Sequence, residues 1–376
     1  MLKLLPIIAW ALLLAFLSDK RSRYVLDRAG RKQYTRKDLA IYLVMALSMA
    51  AFVGLRTRGN DTYAYRHLYE NLTPVGLSNI GTIDWRKVSN APGLQCLTIL
   101  FKTWGFSVQD YLMVTALFTV CTYLWFIRKY TCSIWLSIFY FLTMGVYDFT
   151  MAAIKQTMAV AFLLLATDGA IQKKWGRYVI WLLAAELFHP YSFVYLVVPF
   201  VAFRPWSRGT RYLLAGALAL ALFMSQFLSA IDIVTTSLGY SYDEGEFSGE
   251  GVNIFRVMVV WVPLVLSFLG RRAIGAIESR ATNIILNLMM VNSVIMFIGL
   301  FGTANYFARL ANYFLIFQGI GLPYVLTLFS RDNERILKRL SAAGFAAYYY
   351  YGAAIANGGF DANYNFMSLL EYLKSK

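Results

Sequence analysis

Asp19-Lys-Arg-Ser-Arg-Tyr-Val-Leu-Asp-Arg-Ala-Gly-Arg-Lys-Gln-Tyr-Thr-Arg-Lys-Asp38 carries eight lysines and arginines and lies between two apolar runs, 2–18 and 38–55. Loops that rich in cations stay on the cytoplasmic side of a membrane, so this one reads as cytoplasmic and the N-terminus as outside. Five smaller basic clusters follow the same rule: Arg128-Lys129; Lys173, Lys174 and Arg177; Arg204, Arg208 and Arg211; Arg271, Arg272 and Arg280; Arg331, Arg335, Lys338 and Arg339. Each ends one apolar run and precedes another. Placing all six inside fixes the spans at roughly 2–18, 38–55, 110–127, 132–149, 151–170, 176–189, 190–203, 211–229, 254–270, 281–300, 307–329 and 341–356. The expected fold is an all-α polytopic membrane protein of about twelve transmembrane helices, in a single membrane domain over 1–376, with both termini outside.

Composition agrees. Of 376 residues, 59% are apolar, 17% aromatic and only 15% charged, far from a soluble average. The net charge of +15 follows from the cytoplasmic clusters and is a topology signal, so it gives no reason to expect a nucleic-acid partner. Cys96, Cys121 and Cys132 show no disulfide or metal spacing. His67 and His189 are too few for a metal site of their own, and no metal or cofactor is expected. Leu4–Leu17 has no small-residue cleavage pattern after it and reads as a retained anchor rather than a signal peptide. No hydrophobic window recurs at a fixed period.

Two stretches test the span scheme. Leu94–Gly105 is apolar but short and contains Lys102. If it crossed, the later clusters would fall outside, so 56–109 reads as one large external loop with interfacial helices. Arg177–Phe203 is interrupted at His189-Pro190, and two short helices meeting at the outer face keep the arginines after it inside. A second external loop, 230–253, is acidic, with Asp243, Glu244, Glu246 and Glu250, and reads as a solvated cover.

The first external loop opens with Gly54-Leu-Arg-Thr-Arg-Gly-Asn-Asp-Thr-Tyr-Ala-Tyr-Arg-His-Leu-Tyr69. Asn60 or Asp61 is placed as a helix N-cap. Beyond it, Tyr65, Leu68, Tyr69 and Leu72 share one helical face while Arg66 and Glu70 share another. An interfacial anchor accounts for that pattern, and Arg56 and Arg58 could snorkel to lipid phosphates. Yet both stand where the positive-inside bias is absent, beside an acid at a turn. Other polar residues expected at or near the outer face join them: Lys155 one turn inside a helix end, with Asp148 as its simplest partner; His189 before a proline; Arg256; and Arg309.

Read together, these residues resemble the EpsG-like, Wzy-type polysaccharide polymerases. The opening motif Arg56…Gly59-Asn-Asp61-Thr…Tyr65 is similar to the family's arginine followed by Gly-x-Asp-Thr and then a tyrosine. In order, Asn90-Ala-Pro-Gly93, Ala153-Ile-Lys-Gln156, Leu187-Phe-His189-Pro-Tyr-Ser192 and Arg309…Tyr313 resemble its later motifs. Lys155 departs from the family's arginine, which keeps the charge but loses the bidentate fork.

The resemblance implies a GT-C-like architecture and a metal-independent glycosyltransferase at the outer face of the bacterial cytoplasmic membrane. Its partners would be two undecaprenyl-diphosphate-linked oligosaccharides, donor and acceptor, in the lipid bilayer, with a flippase and a chain-length-regulating co-polymerase alongside. Arg56, Arg58 and Arg309, with Lys155 and Arg256, would hold diphosphate. Tyr65 and Tyr69 would meet sugar or prenyl chain, Gln156 and Tyr313 would also bind substrate, and Asp61 or His189 would take the acceptor proton. Asp61 has a rival role in capping its helix and orienting Arg56 or Arg58. A lipid-linked oligosaccharide flippase or other transporter, a ligase or single-sugar transferase of the same class, and a non-catalytic scaffold remain as alternatives. The His189-Pro190 break has no obvious counterpart in the second half, against the paired broken helices of a repeat-built transporter.

Overall fold

A computed structural model describes residues 3–26, 32–59, 61–72, 76–85, 91–223, 251–301, 304–356 and 364–375. The acidic loop expected at 230–253 therefore lies almost wholly outside the described residues. The chain forms two compact units, one of residues 1–169, 174–193 and 346–376, the other of 170–173 and 194–345.

The first unit is organised on an antiparallel helix pair. Helix α1 spans Leu5–Arg21, followed by a hairpin of β1 (Arg23–Leu26) and β2 (Lys32–Arg36), and α2 spans Ala40–Gly54. After strand β3 (Arg56–Arg58) come α3 (Thr62–Asn71), α4 (Pro92–Thr103) and α5 (Val108–Tyr130). Side chains tie α2 to α5 along their length. Gln109 Nε2 donates to the Gly54 carbonyl at 2.6 Å, and the Tyr42 hydroxyl donates to Leu124 O at 2.7 Å. At the far end Lys37 Nζ donates to Arg128 O at 2.5 Å and Thr131 O at 2.8 Å, answering carbonyls that the last turn of α5 leaves open. Arg128 returns hydrogen bonds to the carbonyls of Asp38 (2.9 Å) and Lys37 (2.8 Å).

Cations from three distant parts of the chain thus share one end of this unit. Buried Asp168 draws Lys129, the Tyr130 hydroxyl and Arg177 to that same end. Strand β3 stands at the other end of α2, about 22 Å away at 1.5 Å per residue. Within unit 1, Lys37, Arg128, Lys129 and Arg177 of the basic clusters stand at the opposite end from the Gly54–Tyr69 motif.

Helix α4 is short. Its 12 residues reach about 18 Å, short of a hydrocarbon core near 30 Å. Lys102 turns back to donate to the carbonyls of Tyr69 and Glu70, both at 3.0 Å, and so caps α3. The basic loop, read from sequence only as a loop, is a hairpin pairing Tyr24 with Tyr34 and Leu26 with Lys32. Helices α6 (Ile134–Thr143), α7 (Val146–Ala152), α8 (Ile154–Ile171) and α9 (Trp175–Glu186) follow, and a 3₁₀ helix covers Pro190–Val201. The chain therefore does break at His189-Pro190.

The second unit contains α10 (Arg208–Leu222), α11 (Ile254–Leu269), α12 (Arg280–Ile298), α13 (Ala304–Asn312), α14 (Leu315–Leu326) and most of α15 (Arg331–Tyr350). Polar side chains on its apolar helices bond to one another, as lipid-embedded helices demand. Gln318 Nε2 donates to Asn292 Oδ1 at 2.9 Å and Ser293 Oγ at 3.0 Å, and Asn292 Nδ2 donates to Ala311 O at 2.7 Å.

Part of the expected span scheme is matched by helices of crossing length. Among the described residues three helices, α5, α8 and α12, are long and apolar enough to cross a membrane. The number rises to five if α6 with α7, bent by 49°, and α11 with the 3₁₀ turn Arg271–Ile277, bent by 84°, each form one span. Several of the other apolar runs expected to cross are helical but shorter, such as α2 at 15 residues and α14 at 12, while the run 341–356 falls mostly in α15, which has 20 residues but a charged first half. A hydrophobic run marks burial, and burial inside protein gives the same signal as burial in lipid.

Candidate functional site

Strand β3 and helix α3 border a half-open cleft of about 920 Å³, lined by Thr57, Arg58, Gly59, Tyr63, Arg66, His67 and Glu70. Helix α3 is amphipathic in the sense the sequence suggested, but its faces are used differently. Tyr65 (8% exposed) and Tyr69 (3%) point inward and pack with Tyr111, Phe101, Leu94, Ile154 and Met158. Leu68, expected on that face, is 61% exposed. The Tyr69 hydroxyl donates to Phe106 O at 2.7 Å, and Tyr65 accepts the Lys155 N–H at 3.3 Å. Burial pushes the Tyr65 phenol up to about 12, so it stays protonated. Both tyrosines are thus building material of the site wall. The opposite face, Tyr63, Arg66, His67 and Glu70, meets the cleft, with Arg66 Nη2 3.5 Å from Glu70 Oε1.

The two arginines of β3 part company. Arg56 is 1% exposed. Its Nε donates to Thr62 Oγ1 at 3.1 Å and its Nη1 to Val53 O at 2.7 Å, among the rings of Tyr364, Tyr65, Tyr111 and Tyr147. Burial lowers the guanidinium to about 10, still charged at neutral pH. Arg56 therefore joins the end of α2 to the start of α3, while exposed Arg58 lines the cleft. Next to it Gly59 has φ +138°, a backbone conformation open to glycine but not to residues with a β-carbon.

Asp61 occupies the N-cap position of α3, but its side chain makes no capping hydrogen bond. The capping role is not the one it plays. Its charge acts instead on Tyr65 and on Lys155. Asn60 is outside the described residues.

Four of the five recurring motifs meet in unit 1. The Gly93 N–H donates to Leu187 O at 2.8 Å, and a β-carbon at Gly93 would stand 2.9 Å from the Phe188 ring. Phe188 packs against the Tyr65 cluster, to which Ile154 also belongs. His189 follows directly, half-buried, its ring 5.3 Å from Tyr191. Gln156 is buried and Lys155 half-buried. In the second unit, Arg256 on α11 and Arg309 on α13 are exposed. Tyr313 is fully buried there, its carbonyl accepting the Tyr195 hydroxyl at 2.8 Å.

Four cleft residues on α3, Tyr63, Arg66, His67 and Glu70, are not among the site residues expected from the sequence. Their signal was the polar i, i+3, i+4, i+7 face of α3 that runs from Tyr63 to Glu70. Among the described residues no three His, Cys, Asp or Glu side chains gather where a metal ion could be held.

A helical membrane protein whose first unit has a cation-bordered cleft at one end and basic loops at the other is the class these observations define. The EpsG family model matches residues 39–369, and the chain belongs to the EpsG family. That places it among membrane proteins of polysaccharide biosynthesis. No curated protein and no solved structure matches it.

Proposed function

We propose that this protein is a Wzy-type polymerase. It joins undecaprenyl-diphosphate-linked repeat units into O-antigen, capsule or exopolysaccharide at the outer face of the cytoplasmic membrane, in a GT-C-like arrangement of about twelve spans. The observation that carries the reading is the cleft holding Arg58, Arg66 and His67 at the end of unit 1 remote from its basic loops. Outside the cytoplasm no nucleotide sugar is at hand, so the leaving group is the lipid diphosphate itself.

The acceptor hydroxyl oxygen attacks the anomeric carbon of the growing chain, the bond from that carbon to the diphosphate breaks, and the diphosphate leaves with the electron pair. Fixed cations stabilise that developing charge. Each one within about 4 Å contributes roughly 4 kcal/mol at an effective dielectric near 20, before desolvation is subtracted. Arg58 and Arg66 are the cations exposed to the cleft, and Lys155, Arg256 and Arg309 are further candidates. Buried Arg56 acts by holding β3 against α3. Asp61, whose charge acts on Lys155, takes the acceptor proton, with His189 as the other candidate base. Tyr63, 71% exposed, offers an aromatic face to sugar.

The test is the surface-glycan ladder of a deletion strain complemented with point variants. Loss of long chains with single capped units retained is expected from the knockout, from Arg58→Ala and from Arg66→Ala at normal expression. Long chains from both variants would remove this reading, and a build-up of unexported lipid-linked repeats would mean a flippase.

A further inference from the structure

Arg56 and Arg58 are two residues apart and in a regular strand would share one face. Here one is buried and the other lines the cleft. The cause lies some 300 residues later in the chain. Strand β4 (Asn365–Phe366) pairs antiparallel with β3, Arg56 opposite Phe366 and Arg58 opposite Asn365, with the register shifting between them. Two steps along β3 thus match one step along β4. A bulge of this kind leaves one residue extra, bends its strand and re-aims the side chains that follow.

Contacts on every side hold β4 in place. The Met367 N–H donates to Leu55 O at 3.0 Å. Phe366 lies 4.3 Å from the Phe52 ring, between centroids. Lys3 Nζ donates to Tyr364 O at 2.6 Å and Asn365 Oδ1 at 2.9 Å. Farther on, the Tyr372 hydroxyl donates to Asp110 Oδ1 at 2.6 Å, on the carboxylate that caps α5. Tyr364 itself is 1% exposed, with its ring on the α-carbon of Gly59: a β-carbon there would sit 2.3 Å from Tyr364 Cδ1.

We infer that the C-terminal strand is a component of the cleft and that Tyr364 is a positioning residue, holding the Gly59 turn so that Arg58 faces the diphosphate. This rests on the polymerase reading above. Strand β3 is too short to keep a bulge unaided, and its backbone groups need a partner strand. Tyr364 supplies the packing that fixes where the bulge ends.

The test compares Tyr364→Ala and Tyr364→Phe with the wild type as purified full-length protein, using a lipid-diphosphate-linked oligosaccharide as both donor and acceptor. Expected for Tyr364→Ala is a roughly tenfold rise in KM and faster amide hydrogen exchange at Thr57–Gly59, with α2 and α5 unchanged. Tyr364→Phe keeps the ring and should stay much nearer the wild type than Tyr364→Ala in both KM and exchange. Partial loss of folded protein would lower turnover but leave KM alone. Unchanged KM in Tyr364→Ala overturns the inference, whatever its exchange pattern. Should Tyr364→Ala fail to accumulate, Lys3→Met loosens the same strand from its edge and should raise both exchange and KM several-fold; no change in either is the overturning result. An inactive wild type would count against the polymerase reading, and exchange at Thr57–Gly59 would then decide the clamp on its own.

Discussion

Arg66 and Gln109 share a hydrogen bond of 3.0 Å, from Arg66 Nη1 to Gln109 Oε1, while the other end of that amide donates to the Gly54 carbonyl at 2.6 Å. One half-turn of α5 thus sets both the end of α2 and a cation of the cleft. Gln109→Leu leaves a buried carbonyl unanswered, which costs about 1–3 kcal/mol, and lets Arg66 swing. The expected result is a lower melting temperature in detergent together with shortened glycan chains. Gln109→Glu keeps an acceptor for Arg66 but loses the donor to Gly54. It should lose stability to a similar degree and retain more of the chain length.

The two arginines of β3 should separate by assay. Arg56→Ala removes a buried donor from Thr62 and Val53 and opens a cavity, a loss on the order of 3 kcal/mol. Its loss of activity should track its loss of folded protein. Arg58→Ala removes an exposed side chain and should leave the melting temperature within a degree or two, while long chains disappear. Arg58→Lys keeps the charge without the planar fork and should fall between. Equal melting temperatures for Arg56→Ala and Arg58→Ala would contradict the division of roles drawn here.

Much of this fold is legible in the sequence, and the facing of the site residues less so, for a physical reason. Membrane insertion writes charge asymmetry directly into the chain, so the sorting of Lys37, Arg128 and Arg177 to the end of unit 1 remote from Arg58 was visible in Asp19–Asp38 and the clusters after it. Helix α3 was equally plain, but its orientation was not. Tyrosine suits both a buried core and a wet cleft, so nothing in Tyr65 and Tyr69 said that they face inward, whereas Arg66 and His67 on the other face border the cleft. The length of each crossing was hidden for the same reason. Strand β4 was the least legible element, since two residues carry no periodicity and its partner is defined only in three dimensions.

Lys37 gives a prediction about pH. Burial lowers its ammonium from the ordinary 10.5 to about 8, with Arg128 adding to the effect. Below pH 8 the group is charged in folded and unfolded chains alike, and its desolvation counts against the fold. Between about 8 and 10.5 the folded protein has released a proton that the unfolded chain still holds, so stability rises with pH and levels off above that window. Lys37→Met lacks the titration. The difference in unfolding free energy, wild type minus variant, should therefore increase from pH 8 to pH 10 in detergent. A flat or falling difference would mean that the ammonium is solvated.

Sidedness is the last prediction, and the proposed chemistry depends on it. Gln33 lies in the basic hairpin and Tyr63 on the cleft face of α3, both exposed, at opposite ends of α2. Cys96, Cys121 and Cys132 form no disulfide and must first be replaced by serine. In that background Tyr63→Cys should react with a membrane-impermeant maleimide in intact cells, and Gln33→Cys only after permeabilisation. If Gln33→Cys reacts in intact cells and Tyr63→Cys does not, the cleft faces the cytoplasm. Nucleotide sugars are then available to it, and a reaction that must use lipid diphosphate as its leaving group loses its reason.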